Sequence, residues 1–239
     1  MLVLRLGQQS RGVRGGGHHR NHQQGQAAEQ LVAHRRRGEA HRTHAEHTAH
    51  DGEGLGEVRV VEDHPADADE EELLKMVKLA QFGVFTSQGI PFIFCGEEMF
   101  RSKHGEKNTY NMPDKYNAID WNLKHKYNGL VEYYKGLIAL RKAHPAFHMG
   151  DAELVRENVH FLPVAEGVVA YQLNGEAVGD SWKTIIVVLN GQEKAAQVAL
   201  PAGEFHYACV DGKCPADMAT VVSGTLRVAP QSAAIVYCL

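Results

Sequence analysis

The chain has 239 residues, 44% hydrophobic and 23% charged, with a formal net charge of −4 and four Cys. That length holds one large domain or two small ones. No stretch of about 18 apolar residues offers a membrane span, and four Cys are too few for a disulfide scaffold.

The averages conceal two unlike texts. Residues 1–64 carry nine of the 15 His and nine of the 13 Arg, yet no Phe, Tyr, Trp, Ile or Lys. MLVLRLGQQS is too short an apolar stretch for a secretory signal and has no charged start before it, so a cytoplasmic location is the default expectation. Twelve Val, Leu and Met residues in this stretch cannot offset the entropy of ordering a Gly-, His- and Gln-rich chain. Residues 1–64 therefore read as low-complexity and disordered, at most a loose helix over 27–50. His41, His44, His47 and His50 recur at a spacing of three, which on a helix would align imidazoles for Zn or Ni. Nothing nearby orients them, so adventitious binding outweighs a specific site, and neither a metal nor a cofactor is expected. Arg35, Arg36 and Arg37 suggest nucleic acid, but the nine Arg face eight acidic residues without one aromatic, which argues against it. Arg without Lys, alongside Gly, Ala, His and Gln, is also what a GC-rich gene yields when translated out of frame.

A second unit is expected over 65–149. DADEEELLKMVKLAQFGVFTSQG opens with Asp69 as N-cap and Glu72 three residues later, with acids in the first turn. Leu73, Val77, Ala80 and Val84 recur at helical spacing, and Gly89 closes the segment. IPFIFCG is apolar on both faces, which predicts a buried parallel strand, with Cys95 as a small hydrophobe within it. Helix then strand is the αβ half of a β/α repeat, where chemistry sits past the carboxyl ends of strands. That place holds Glu97, Glu98 and the loop FRSKHGEKNTYNMPDKYNAIDW. Its amides, carboxylates and Arg suit hydroxyls and its aromatic rings suit pyranose faces, so it reads as a sugar-binding surface. Retaining glycosidases hold two carboxyls about 5–5.5 Å apart across the scissile bond. Neighbours in an extended strand point to opposite faces, so Glu97 and Glu98 cannot flank one bond, and a carboxylate bonded to loop backbone is the competing reading for either. In NGLVEYYKGLIALRKAHPAF, Leu130, Tyr133, Tyr134, Leu137 and Leu140 form a helical apolar face. Arg141, Lys142 and His144 suit its C-terminal dipole, and Pro145 stops it.

From 150 to 239 the pattern changes to short β runs between turns: NVHFLPV, GVVAYQLN, KTIIVVLNG, AAQVALP, EFHYACV, ATVVSG and TLRVAPQSAAIVYCL. These predict an all-β sandwich, with Asn190-Gly191 and Asp211-Gly212 as turns. Cys209 and Cys214 flank the second turn; a disulfide is open to them, but free thiols are favoured because nothing marks an oxidising compartment. Phe161, Tyr171, Trp182, Phe205, Tyr207 and Tyr237 read as core packing ahead of a starch-binding surface.

Taken together, VFTSQGIPFIFCGEEMFRSKHGEKNTYNMPDKYNAIDW followed by YYKGLIALRKAHPAF resembles type I pullulanase, a debranching enzyme of the α-amylase superfamily (glycoside hydrolase family 13). The carriers are G-x-E at the strand end, R-S-K-x-G, N-T-Y-N, P-D-x-x-N and D-W, in order and closely spaced. The resemblance implies an α+β fragment: the final helix-strand-helix portion of a (β/α)8 barrel, then a C-terminal β sandwich. It also implies a deficit, because the family's nucleophile, general acid and stabilising Asp have no counterpart here. G-F-R-x-D is absent, and Asp63-His64 reverses the family's order. The expected function is that of a C-terminal fragment of an enzyme hydrolysing α-1,6 links in starch, glycogen or pullulan, inactive alone. The alternatives are a non-catalytic α-glucan-binding module, or a fragment of an isoamylase or branching enzyme. The expected partner is an α-glucan. Substrate-binding candidates implied by the resemblance are Glu97, Asn108, Tyr110, Asn111, Asp114 and, foremost with Asp114, Arg101; Asn117, Asp120 and Trp121 are expected to brace the loop. A lone barrel strand exposes its edges and apolar faces, so 73–149 should be loosely packed unless it covers itself on the β domain.

Overall fold

In the computed structural model the described residues are 68–104, 106, 108–216 and 219–239. The readings made on residues 1–64, including the His row and the Arg trio, lie outside them.

Helix α1 (Glu70–Thr86) starts where its sequence directs: Asp69 Oδ1 accepts the Glu72 N–H at 2.8 Å. After two four-residue helices, α2 (Asp114–Asn117) and α3 (Leu123–Lys126), comes the long helix α4 (Asn128–Ala143). Leu130, Tyr133, Tyr134 and Leu137 are buried along one side of α4, and Pro145 opens a 3-10 turn that ends it. A short helix α5 (Ala152–Asn158) follows, capped by Asp151, whose Oδ1 accepts the Glu153 and Leu154 N–H groups. The sequence reading passed over α5, although Asp151 is a conventional N-cap residue.

The strands are β1 (Val159–Phe161), β2 (Val168–Asn174), β3 (Thr184–Asn190), β4 (Ala196–Ala199), β5 (Phe205–Val210), β6 (Val221–Val222), β7 (Thr225–Val228) and β8 (Ser232–Cys238). Six form one antiparallel sheet in the order β1-β2-β3-β8-β5-β6; β4 and β7 pair separately. The predicted last run divides into β7 and β8 at Pro230-Gln231, where Gln231 takes a φ of 46°. Strands β3 and β8 sit at the centre of the large sheet and are apolar on both faces because each face meets a different layer. Ile185, Val187, Leu189, Ile235 and Tyr237 join the core shared with α1 and α4. Ile186, Val188, Ala234 and Val236 join a second core with Val198 of β4 and Leu226 of β7. The two sheets of 150–239 thus pack together on one face of the large sheet, and helices from before residue 150 cover the other face.

The layers meet closely. A Cβ at Gly136 of α4 would lie 1.7 Å from the Cys214 carbonyl oxygen, so a mid-helix glycine lets the helix touch backbone. Arg141 does not simply face its own helix end. It reaches across to α1, with Nη1 donating to the Phe85 and Ser87 carbonyls (both 2.8 Å) and Nη2 to Gly89 O (2.5 Å), which satisfies carbonyls left open beyond the helix. Tyr171 of β2 donates to Thr86 O at 2.9 Å. Nearby, His144 hydrogen-bonds Asp180 at 2.8 Å and stacks on Trp182, which stacks on Tyr237. Asp180 also accepts the Ala146 and Trp182 N–H groups. The aromatics Tyr171, Trp182, Phe205 and Tyr237 are buried, as the core-packing reading expects.

Two local expectations change. Cys209 and Cys214 are joined in a disulfide, with Cα atoms 4.5 Å apart, where free thiols were favoured; the Asp211-Gly212 turn, with both residues at positive φ, folds the chain back to bring them together. The segment 90–94 forms no regular secondary structure and pairs with no strand among the described residues. Ile90 is 93% and Phe92 61% exposed, and Cys95 is exposed as well. The sequence predicts a buried strand there; without neighbouring strands, nothing is present to bury it.

Candidate functional site

Residue 96 is the point where the chain turns away from the segment 90–94. Gly96 has φ +92°, and a Cβ on it would lie 2.7 Å from Arg101 Cδ. The 3-10 turn Glu97–Met99 follows, and Phe100 ends it with φ 63°, a conformation uncommon for a bulky residue. Its ring packs at 4.9 Å from that of Tyr127, and its N–H donates to Glu97 O at 3.1 Å.

Glu97 points inward. It is buried, its Oε1 accepts from Gln81 Nε2 at 2.7 Å, and its Oε2 accepts the Phe94 N–H at 3.2 Å. Those bonds tie the turn to α1, as the competing reading of a backbone-bonded carboxylate foresees. Glu98 Oε2 accepts the Gly96 N–H at 3.1 Å. Burial drives the nearby Tyr134 phenol well above its ordinary pKa, and the negative charges of Glu97 and Glu98 add to the shift.

Arg101 is also turned in. Nη1 donates to Cys95 O at 2.9 Å and Nη2 to Asn117 O, and the guanidinium lies 5.1 Å from the Phe94 ring centroid. Asn117 braces the loop as expected: its Nδ2 donates to Thr109 O (2.8 Å) and Met112 O (2.9 Å), and its Oδ1 accepts from Lys103 Nζ (2.8 Å). Asp120 braces too, accepting from the Asn122 backbone and side chain. Trp121 differs from the bracing expectation, with 65% of its surface exposed.

The other candidates face outward. Asn108, Asn111 and Asp114 are exposed, and Tyr110 is 93% exposed. Asn108 Oδ1 accepts the Tyr110 N–H at 3.3 Å, a local turn that sets the tyrosine at the tip. The structure thus sorts the six candidates. Glu97 and Arg101 are structural anchors, while Asn108, Tyr110, Asn111 and Asp114 form an exposed rim of amide, phenol and carboxylate groups. Gln81, the partner of Glu97, was missed, since nothing in a helical pattern marks one glutamine as a tether. Between the segment 90–94 and the C-terminal end of α4 lies an open, mainly apolar depression of about 370 Å³, lined by Phe85, Pro91, Ile93, Ile138, Lys142 and His148 among others. Among the described residues no group of three or more His, Cys, Asp or Glu side chains could hold a metal ion. No helix there is long and apolar enough to cross a membrane.

Comparison with known proteins shows what the chain is similar to. Residues 155–213 match the family described as "Pullulanase, all-beta domain". The chain is 36% identical over 124 residues to pullulanase of Bacillus subtilis (strain 168), covering 52% of this chain and 17% of that protein. Its fold matches the pullulanase from Bacillus acidopullulyticus with a TM-score of 0.69 and 35% identity, over 72% of this chain and 21% of that one. It also matches a pullulanase from Anoxybacillus sp. LM18-11 complexed with maltotetraose, with a TM-score of 0.67 and 34% identity, over 73% of this chain and 25% of the other. Isoamylases and glycogen debranching enzymes are also similar to it. The chain spans about a fifth of the length of these pullulanases. In sequence and fold it matches a C-terminal fragment of type I pullulanase.

Proposed function

We propose, from that match, that this chain is the C-terminal part of a debranching glycoside hydrolase acting on α-1,6-glucosidic links of starch, glycogen or pullulan. In this reading residues 65–149 are the last helix-strand-helix of a (β/α)8 barrel, 150–239 the C-terminal β domain, and 1–64 a low-complexity segment outside both. The observation that carries it is the ordered string Arg101-Ser-Lys, Asn108-Thr-Tyr-Asn, Pro113-Asp and Asp120-Trp on one loop after an apolar segment. The exposed Ile90 and Phe92 support it, since a barrel strand without its neighbours offers such faces to solvent.

The complete enzyme would cleave with retention, one carboxyl forming a glycosyl-enzyme intermediate and another protonating the leaving oxygen. This chain supplies neither group: its one inward carboxylate on the loop, Glu97, is spent on Gln81 and the Phe94 N–H. Its contribution is the rim. Asp114 accepts from sugar hydroxyls, Asn108 and Asn111 both donate and accept, and Tyr110 offers a ring face. The purified chain should therefore release no reducing ends from pullulan while retaining weak affinity for maltotetraose. Hydrolysis at an enzyme-like turnover would overturn this reading.

The second reading, a non-catalytic α-glucan-binding module, draws on the same rim. It differs in its expected affinity: a module selected to bind alone should hold amylopectin tightly, a cleft rim without its cleft weakly. Affinity electrophoresis in amylopectin gels separates the two.

A further inference from the structure

We propose that Arg101 is the positioning residue of this rim and not one of its sugar contacts; the consequence for sugar rests on the glucan-binding reading, the geometry does not. A guanidinium has five N–H donors in a fixed plane. Here both Nη groups are committed to backbone carbonyls, one at each end of the loop: Cys95 before it and Asn117 after it. The plane rests near the Phe94 ring, and Nε is buried. The stem fills the space that the missing Cβ of Gly96 leaves open. Arg101 as a whole is only 9% exposed, whereas Tyr110 is 93% exposed.

All four rim residues, Asn108, Tyr110, Asn111 and Asp114, lie between the two ends that Arg101 joins. Asn117 passes the restraint inward by donating to Thr109 O and Met112 O, the backbone that flanks Tyr110 and Asn111. One side chain therefore closes the loop, a second organises its interior, and the rim is presented by both. Lysine cannot replace the arginine, because a single ammonium on a flexible stem does not span two separated carbonyls from a fixed plane.

The test uses the whole 239-residue chain with Arg101→Lys and Arg101→Ala. Amide hydrogen exchange is followed at Met112, Tyr116 and Ala118, which donate within the loop to Thr109, Pro113 and Asp114 carbonyls, and at β3 and β8 as folding controls. Maltotetraose is the binding probe. Both variants should exchange the three loop amides at least about tenfold faster with the sheet unchanged, and maltotetraose affinity should fall by about the same factor. Millimolar guanidinium added to Arg101→Ala should restore slow exchange and, with it, binding. Loop exchange that is unchanged in Arg101→Ala overturns the proposal, and so does accelerated exchange that guanidinium does not slow. Lost binding with unchanged exchange would make Arg101 a direct contact. If the unaltered chain binds no maltotetraose, the glucan-binding reading fails, while exchange and its rescue still decide the positioning role.

Discussion

Two runs of this chain look alike on paper and end differently. TIIVVLN of β3 and IPFIF of 90–94 are both short, apolar and rich in branched or aromatic residues. In β3 every residue from Ile185 to Asn190 is buried, with β2 and β8 on its edges and a packed layer on each face. In 90–94, Ile90, Phe92 and Ile93 are exposed. An apolar run states a demand for burial; topology decides whether anything meets it. The β domain supplies the neighbouring strands and one layer, and α1 and α4 supply the other layer, whereas the neighbours of 90–94, in the barrel reading, belong to other strands.

The largest contrast comes from truncating each run. Ile186→Ala leaves a cavity in the core between the two sheets and should cost about 2–5 kcal/mol, read as a fall in the urea midpoint. Phe92→Ala removes a ring that is already mostly in water and should change stability by less than about 0.5 kcal/mol. Equal losses in the two variants would mean that 90–94 is buried in solution and would end the comparison.

The next effect tests whether the helical layer is as tightly fitted as the sheet. Gly136→Ala places a methyl where the Cys214 carbonyl stands and should cost about 1–3 kcal/mol or more, although alanine favours helix over glycine. Gly129→Ala, in the same helix with open space around it, is the control and should cost nothing. If both substitutions are tolerated, α4 does not rest on the 209–214 turn.

The same contrast governs what could be read beforehand. Helices α1 and α4 were legible because their signals are local: Asp69 three residues before Glu72, an apolar stripe, Pro145 at the end. The Asp211-Gly212 turn was legible because its backbone favours those residue types. The exposure of 90–94 follows from the lone-strand argument and not from its apolar pattern, because burial is not a local property. In the loop, residue type marks polar groups as sugar candidates, yet the Arg101 and Glu97 side chains, the most chemically suggestive of them, bond to other parts of the chain. Nothing in the order of residues says that the Arg101 fork will meet the Asn117 carbonyl sixteen residues on, or that Gln81 will fold over Glu97. Exposed Tyr110 follows from short-range turn chemistry, whereas bracing by Asn117 was anticipated only from the family resemblance.

A smaller effect concerns pH and the seam between helices and sheet. Burial pushes the Tyr171 and Tyr133 phenols above the ordinary value of 10.0. Below that value both folded and unfolded chains keep these protons, and the stability is fully present. Above it the unfolded chain ionises first, so stability is lost as pH rises. The thermal midpoint should therefore fall once pH passes about 10. Tyr171→Phe should lose about 1 kcal/mol at neutral pH through its bond to Thr86 O, and its decline at alkaline pH should be shallower. A parallel decline would place Tyr171 outside the seam.

The smallest change in folding free energy should accompany the largest change in behaviour. Ile90 and Phe92 lie on a segment outside both sheets that offers exposed apolar side chains, the feature that drives association. Ile90→Lys and Phe92→Lys should leave the urea midpoint within about 0.5 kcal/mol of the parent, because neither side chain loses buried contacts. Both should reduce self-association in sedimentation velocity at high concentration, since charge on an exposed apolar run opposes association. A matched lysine at an exposed polar site, Gln197→Lys on β4, should have no such effect and separates local charge from net charge. If the lysines leave association unchanged, the exposed run is not the sticky surface, and its apolar character would have to be satisfied within a single chain.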